Sequence, residues 1–285
     1  MTLTPKLLAI DEGRQRISLI DTTRPGALWS RDLADFPLAR DMQRLDDDRV
    51  LIGFERGFFE LRIGTGEVLA SCDRWSDVTS ACRLDDGSTL VTGYNLDGTG
   101  GINVLTLDRD FNLAHTARRD GDYVRLMRRT AGGGYLLCMN DHILETDSAL
   151  NAVRELRAPG FLHAWKAEPC ADGTTLVSAG YGGFMARFDA QGELLGTFGG
   201  EADVPAEVAP FFYATFQQLD DGRLIVANWQ GHGPDNGGKG RQLLEFDGAG
   251  RLLGSWSDAE NISSLQGILI VGPGTSTNSE PRRAD

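Results

Sequence analysis

The residue types best suited to chemistry are few in this chain. It has 4 histidines. Three stand among polar or aromatic neighbours: His142 after Asn140-Asp141, His163 just before Trp165, and His232 after Trp229-Gln230. Imidazole titrates near neutral pH and also ligates metals. These three can therefore act as general acid or base, with Tyr123, Tyr181 or Tyr213 assisting. They can equally act as ligands of a divalent metal, with Asp141 or Asp235 joining them. No pair has helical or hairpin ligand spacing, and histidines that only make structural hydrogen bonds remain the alternative. The fourth, His115, falls in an outer strand and reads as structural.

Arginines stand out against a formal net charge of -13. Arg40, Arg56 and Arg125 can anchor a ligand carboxylate through paired hydrogen bonds. The alternative is salt bridging to Asp41, Glu55 and Asp122. Trp165, Trp229 and Tyr213 offer flat faces on which a sugar ring can stack. Tyr94, Asn95, Tyr181, Asn228 and Gln230 complete the expected substrate contacts. Phe211 and Phe212 suit a stacking wall or packing between elements. The densest segment is Asn228-Trp229-Gln230-Gly231-His232-Gly233-Pro234-Asp235-Asn236-Gly237-Gly238-Lys239-Gly240. It adds about ten residues where a short connection is the rule, and such insertions are often functional. Its alternative is a flexible glycine loop. It is no phosphate cradle, because the GKS/T ending is missing. Ser263 and Ser264 are candidate nucleophiles with no base placed beside them by sequence.

A repeated phrase supplies the scaffold. ACRLDDGSTLVTGY surrounds Leu84-Asp85-Asp86-Gly87, and FQQLDDGRLIVANW surrounds Leu219-Asp220-Asp221-Gly222. Variants centre on Asp46-Asp47-Asp48, Ala131-Gly132-Gly133 and Ala171-Asp172-Gly173. Apolar runs about these turns read as hairpins. In the last copy, strands are expected at 214–219, 223–230, 242–246 and 251–257. Four antiparallel strands in roughly 40 residues make a propeller blade. The same frame fits 38–74, 77–119, 123–160 and 161–200. The N-terminal part supplies three strands, KLLAIDE, RISLIDTT and ALWSRDL, without an innermost one. The segment 262–271 is the missing strand. The expectation is an all-β, six-bladed propeller of four-stranded antiparallel blades, closed by a C-terminal strand that completes the N-terminal blade. One domain spans 1–273, and the polar stretch 274–285 is expected to be disordered.

The copies resemble the broad class of bacterial β-propeller repeats of the NHL, PQQ-type and lactonase-like kind. The resemblance covers nearly the whole chain and implies the fold, not an activity. The tryptophan-docking girdle of PQQ enzymes and the EGP opening of calcium-dependent gluconolactonases are absent, so neither activity is carried over.

The blade frame sorts the candidates. The DDG hairpins fall on one rim. Loops leading into each innermost strand, and those joining second and third strands, fall on the other, where propeller sites usually form. Nearly all the candidate residues map there, which makes the DDG rim the silent one. With a sequence pI near 4.8, nucleic acid is excluded as a partner. No segment is long enough to span a membrane. Cys72, Cys82, Cys138 and Cys170 lack CxxC spacing and read as buried free thiols in strands. A cytoplasmic protein is expected. It should bind, and act on, a small polar ligand such as a carbohydrate or sugar acid, as a lyase, hydrolase or isomerase. A non-enzymatic interaction propeller is the alternative, and a quinone-bearing redox propeller a third reading.

Overall fold

The computed structural model describes residues 6–271. Six four-stranded antiparallel sheets form a ring, and that ring is the six-bladed β-propeller expected. Blade one combines β1 (Lys6–Asp11), β2 (Arg16–Asp21) and β3 (Ala27–Asp32) with β24 (Leu265–Ile270) from the far end of the chain, in the order β24-β1-β2-β3. Blade two holds β4 (Asp41–Arg44), β5 (Arg49–Phe54), β6 (Gly57–Arg62) and β7 (Val68–Asp73). Blade three holds β8 (Val78–Arg83), β9 (Thr89–Tyr94), β10 (Ile102–Leu107) and β11 (Leu113–Arg119). Blade four runs through β12 (Met127–Arg129), β13 (Tyr135–Cys138), β14 (Ile143–Thr146) and β15 (Ala152–Leu156). Blade five has β16 (Ala167–Pro169), β17 (Thr175–Ser178), β18 (Met185–Phe188) and β19 (Leu194–Phe198). Blade six has β20 (Phe212–Gln218), β21 (Leu224–Trp229), β22 (Leu243–Phe246) and β23 (Leu252–Trp256). No described helix is long and apolar enough to cross a membrane. The polar stretch 274–285 lies outside the described residues.

Strand alternation builds the core. Successive side chains point to opposite faces of a sheet, and each blade has a neighbour on either side. Leu7 and Ala9 pack towards blade six, while Leu8 and Ile10 pack towards blade two. Leu51 faces blade three, and its neighbours Val50 and Ile52 face blade one. Six buried clusters result, one at each seam between blades. The middle strands therefore read as unbroken apolar runs.

The repeated turns share one bonding pattern. The N–H of Gly87 bonds to Leu84 O, and that of Gly222 to Leu219 O, each at 2.9 Å. Asp86 and Asp221 accept the N–H two residues on, at 2.8 and 3.1 Å. Both glycines have φ of +84°, where a Cβ is disfavoured.

Ring closure is bolted as well as zipped. β24 pairs antiparallel with β1. The Asp11 carboxylate accepts the N–H groups of Ser263 and Ser264, each at 3.0 Å. The insertion after Trp229 folds over this junction. Ser263 Oγ donates to Gly233 O at 2.7 Å and Ser264 Oγ to Gly231 O at 2.6 Å. The Asn236 amide bridges three carbonyls, of Gly231, His232 and Gly233. The insertion is thus an ordered clasp between blades six and one, and the two serine hydroxyls are committed to it.

Cys72, Cys82 and Cys138 are buried free thiols, as expected, and burial pushes the Cys138 thiol up to about 12. Cys170 is also free, but it is only partly buried and lies one residue beyond β16.

Candidate functional site

Four of the expected residues meet at the mouth opposite the LDDG turns. Tyr123 and Arg125 lie in the lead-in to blade four, and His163 in the lead-in to blade five. The Tyr123 hydroxyl is 2.7 Å from His163 Nδ1, and Arg125 Nε donates to the same hydroxyl at 2.8 Å. A guanidinium can only donate. We therefore assign the phenol proton to the bond with Nδ1, which leaves the ring proton of neutral His163 on Nε2. Burial, and then the Arg125 charge, lower the His163 pKa below its ordinary value. Burial raises that of Tyr123, with Arg125 opposing. Both groups are neutral near pH 7.

The backbone is bent to make this contact. His163 has φ of +56°. Opposite it, a Cβ on Gly180 would lie 2.1 Å from His163 O, so only glycine fits there. Tyr181 N–H then bonds to Leu162 O at 2.9 Å, which ties the two loops together.

Arg40 lines the same mouth. It is buried, and its Nε donates to Leu38 O at 2.9 Å. Burial, followed by repulsion from Arg125, lowers its pKa to about 10. Arg40, Tyr94, Tyr123 and Arg125 line a cavity of ≈ 230 Å³ at this mouth, together with the carboxylates of Glu55, Asp77 and Asp122. No described carboxylate lies within ion-pairing distance of Arg40 or Arg125.

An aromatic chain leads from His163 around the rim. His163 meets Tyr181 edge-on at 5.5 Å, and Tyr181 meets Phe212 at 4.7 Å. Phe212 touches Trp165 and Trp229, each at 5.3 Å. Trp229 meets His232 at 4.6 Å. Glu12 closes the chain: its carboxylate accepts Trp229 Nε1 at 3.1 Å and lies 2.9 Å from His232 Nδ1.

The remaining candidates lie elsewhere. Tyr213 is fully buried in the seam between blades five and six, where its hydroxyl donates to Gly199 O and burial raises its pKa. The sequence reading began this strand at Ala214, whereas β20 begins at Phe212. That shift turns Tyr213 from the mouth into the seam. Asn228 and Gln230 are also buried. The Asn228 amide clamps the carbonyls of Val208, Ala209 and Arg241, and its Oδ1 accepts Phe211 N–H. Arg56 is half-buried and ion-paired with Asp73 at 2.9 Å. Asn95 shapes its own turn, where its Oδ1 accepts Gly100 N–H at 2.7 Å. His142 bonds to Asp141 at 2.7 Å, and Arg157 pairs with the same carboxylate. Those two bonds, from His142 first, pull Asp141 down to about 2. The three histidines thus have three separate sets of partners. Among the described residues no three His, Cys, Asp or Glu side chains group as metal ligands, so the three-histidine centre is not assembled.

Sequence reasoning missed a network inside the channel. Arg128 makes two bonds to Asp41, at 2.7 and 3.0 Å, and Ser80 Oγ donates to the same carboxylate. Burial alone would lower the Arg128 pKa, but Asp41, helped by Glu168, raises it instead. Lys166 pairs with Glu168 at 2.9 Å. The available signal was charge at positions of innermost strands that face the channel.

No protein-family model matches the chain, and no curated protein matches it in sequence. Solved structures match its fold. A protein of unknown function from Bacteroides caccae is 19% identical, with a TM-score of 0.77, over 93% of this chain and 98% of that one. A functionally unknown protein from Desulfotomaculum acetoxidans is 14% identical, with a TM-score of 0.58, over 95% and 100%. A streptogramin B lyase is 12% identical, with a TM-score of 0.58, over 89% and 79%. At these identities the shared property is the propeller.

Proposed function

We propose that this propeller binds a small carboxylate-bearing polar molecule, such as a sugar acid, at the mouth beside Tyr123, and moves a proton on it. One observation carries the reading. Arg40 and Arg125 face the same cavity as cations, with no described carboxylate within ion-pairing distance of either. Their mutual repulsion is relieved when an anion sits between them. Neutralising a carboxylate in this way also acidifies the neighbouring C–H. The Tyr123–His163 pair supplies a hydrogen-bonded acid and base next to that position. A lyase or isomerase step follows naturally, and the streptogramin B lyase among the solved neighbours shows that a lyase has been built on this scaffold.

The test is calorimetric titration with glucuronate, galacturonate and gluconate. Binding to the wild-type protein is expected, and Arg125→Ala should weaken it by about tenfold or more. No binding of any of these acids, or binding indifferent to Arg125→Ala, refutes the reading.

A second reading rests on a separate observation. Leu38, Leu162 and Phe211 are 49%, 47% and 43% exposed on this same rim. Apolar side chains of this kind favour a protein partner seated over the mouth. Capture of a stoichiometric partner that Phe211→Ser abolishes would support it.

A further inference from the structure

A cavity larger than the one beside Tyr123 opens at the other end of the channel, on the rim of the LDDG turns. It measures ≈ 790 Å³, within the range of small-molecule sites. Its walls are the ends of innermost strands and the turns at Ala131, Ala171 and Asp220.

The cations in this wall already have partners. Arg128 is held by Asp41, Lys166 by Glu168 at 2.9 Å, and Arg154 by Glu145 at 2.6 Å. Arg44 pairs with Asp47 at 3.0 Å. An anionic ligand would have to break one of these pairs, and stripping a partner from a buried charge is costly. Donors nevertheless remain. Arg128 is not among them, because its Nε is buried and faces the Glu168 carboxylate at 3.7 Å. Gln217 uses its Oε1 to accept Ile270 N–H at 2.7 Å, which leaves its amide N–H groups for a ligand. Thr130 Oγ1 accepts Gly134 N–H at 3.0 Å and keeps its own proton. Apolar carbon of Met42, Leu136 and Leu269 shares the wall.

We infer that this mouth is a second binding site, for a neutral, hydroxyl-rich molecule such as a sugar or polyol. Paired charges and leftover donors present hydrogen bonds without net charge. The ligand's oxygen atoms accept these bonds, and its carbon skeleton lies on the apolar part of the wall. The site is independent of the one beside Tyr123.

Glucose, cellobiose and myo-inositol are suitable probes, in saturation-transfer NMR and calorimetry on the full chain. At least one should bind saturably. Its affinity should survive Arg125→Ala and fall by about tenfold or more in Ala171→Trp, which narrows the mouth from an exposed turn. Ala131→Trp does the same from the neighbouring blade and replaces Ala171→Trp if circular dichroism shows the latter unfolded. The inference is overturned if none of the three probes binds, or if binding is indifferent to both tryptophan variants.

Discussion

His163 is held in its neutral form by its surroundings, and that has a measurable sign. Burial and then Arg125 put its folded pKa below the ordinary value of 6.5. The unfolded chain thus takes up this proton at higher pH than the folded chain does. The associated stability is complete above pH 6.5 and is lost as pH falls through the lower folded value. In His163→Gln the melting temperature should therefore fall less steeply with acidification below pH 6.5 than in wild type, as thermal scans across that range will show. The tyrosines give a second contrast. Tyr213→Phe loses one buried hydrogen bond, a cost of about 1 kcal/mol, and should leave uronate binding and turnover intact. Tyr123→Phe should leave stability nearly unchanged and abolish proton transfer. Tyr123, Arg125 and His163 were legible in the sequence because each sits in a loop with a fixed place in the blade. Tyr213 was not, because β20 begins two residues before the expected start, and a side chain inside the strand faces a seam between blades instead of the mouth.

Loops of this protein behave as built elements. Gly180 is where the loop of blade five touches the backbone of His163, with no room for a Cβ. Gly180→Ala should cost about 1–3 kcal/mol in denaturant unfolding, and it should weaken uronate binding although it removes no polar group. Equal binding in that variant would show that His163 needs no support from Gly180. The insertion after Trp229 teaches a related lesson. Its glycines and its break in the repeat marked it as special from sequence, and it is. Its role was hidden, because what it grips is the stretch Ser263-Ser264, more than twenty residues further on. The LDDG phrase shows the opposite case. Its turn geometry was fully readable, since every bond in it is local.

At the scale of the whole molecule, two charged residues carry long-range order. Asp11 receives two buried backbone N–H groups of the closing segment. Asp11→Ala leaves both without a partner and should cost about 2–4 kcal/mol in urea unfolding. Arg128 joins blade four to blade two across the channel. Arg128→Met strands the Asp41 carboxylate and should cost about 3–5 kcal/mol, much of which Asp41→Asn in the same chain should restore. The blade count and the shared first blade were legible because they follow from a period. The channel network was not, because the period says nothing about which residues meet across the axis. The expectation of a silent LDDG rim followed from counting loop residues. The larger cavity there is lined by strand ends that the count left out.

The junction at blade one has one more consequence. The N–H of Val271 bonds to Lys6 O at 2.9 Å, so the first and last described residues are neighbours. A closed ring whose ends touch has no privileged starting point. A short linker could join Val271 to Lys6, and new termini could be cut at the exposed Gly248 turn. Such a circular permutant should keep both mouths and the same six seams. It would draw all four strands of blade one from a continuous stretch of chain, and the Asp11 bonds to Ser263 and Ser264 would then reinforce a hairpin instead of securing a seal.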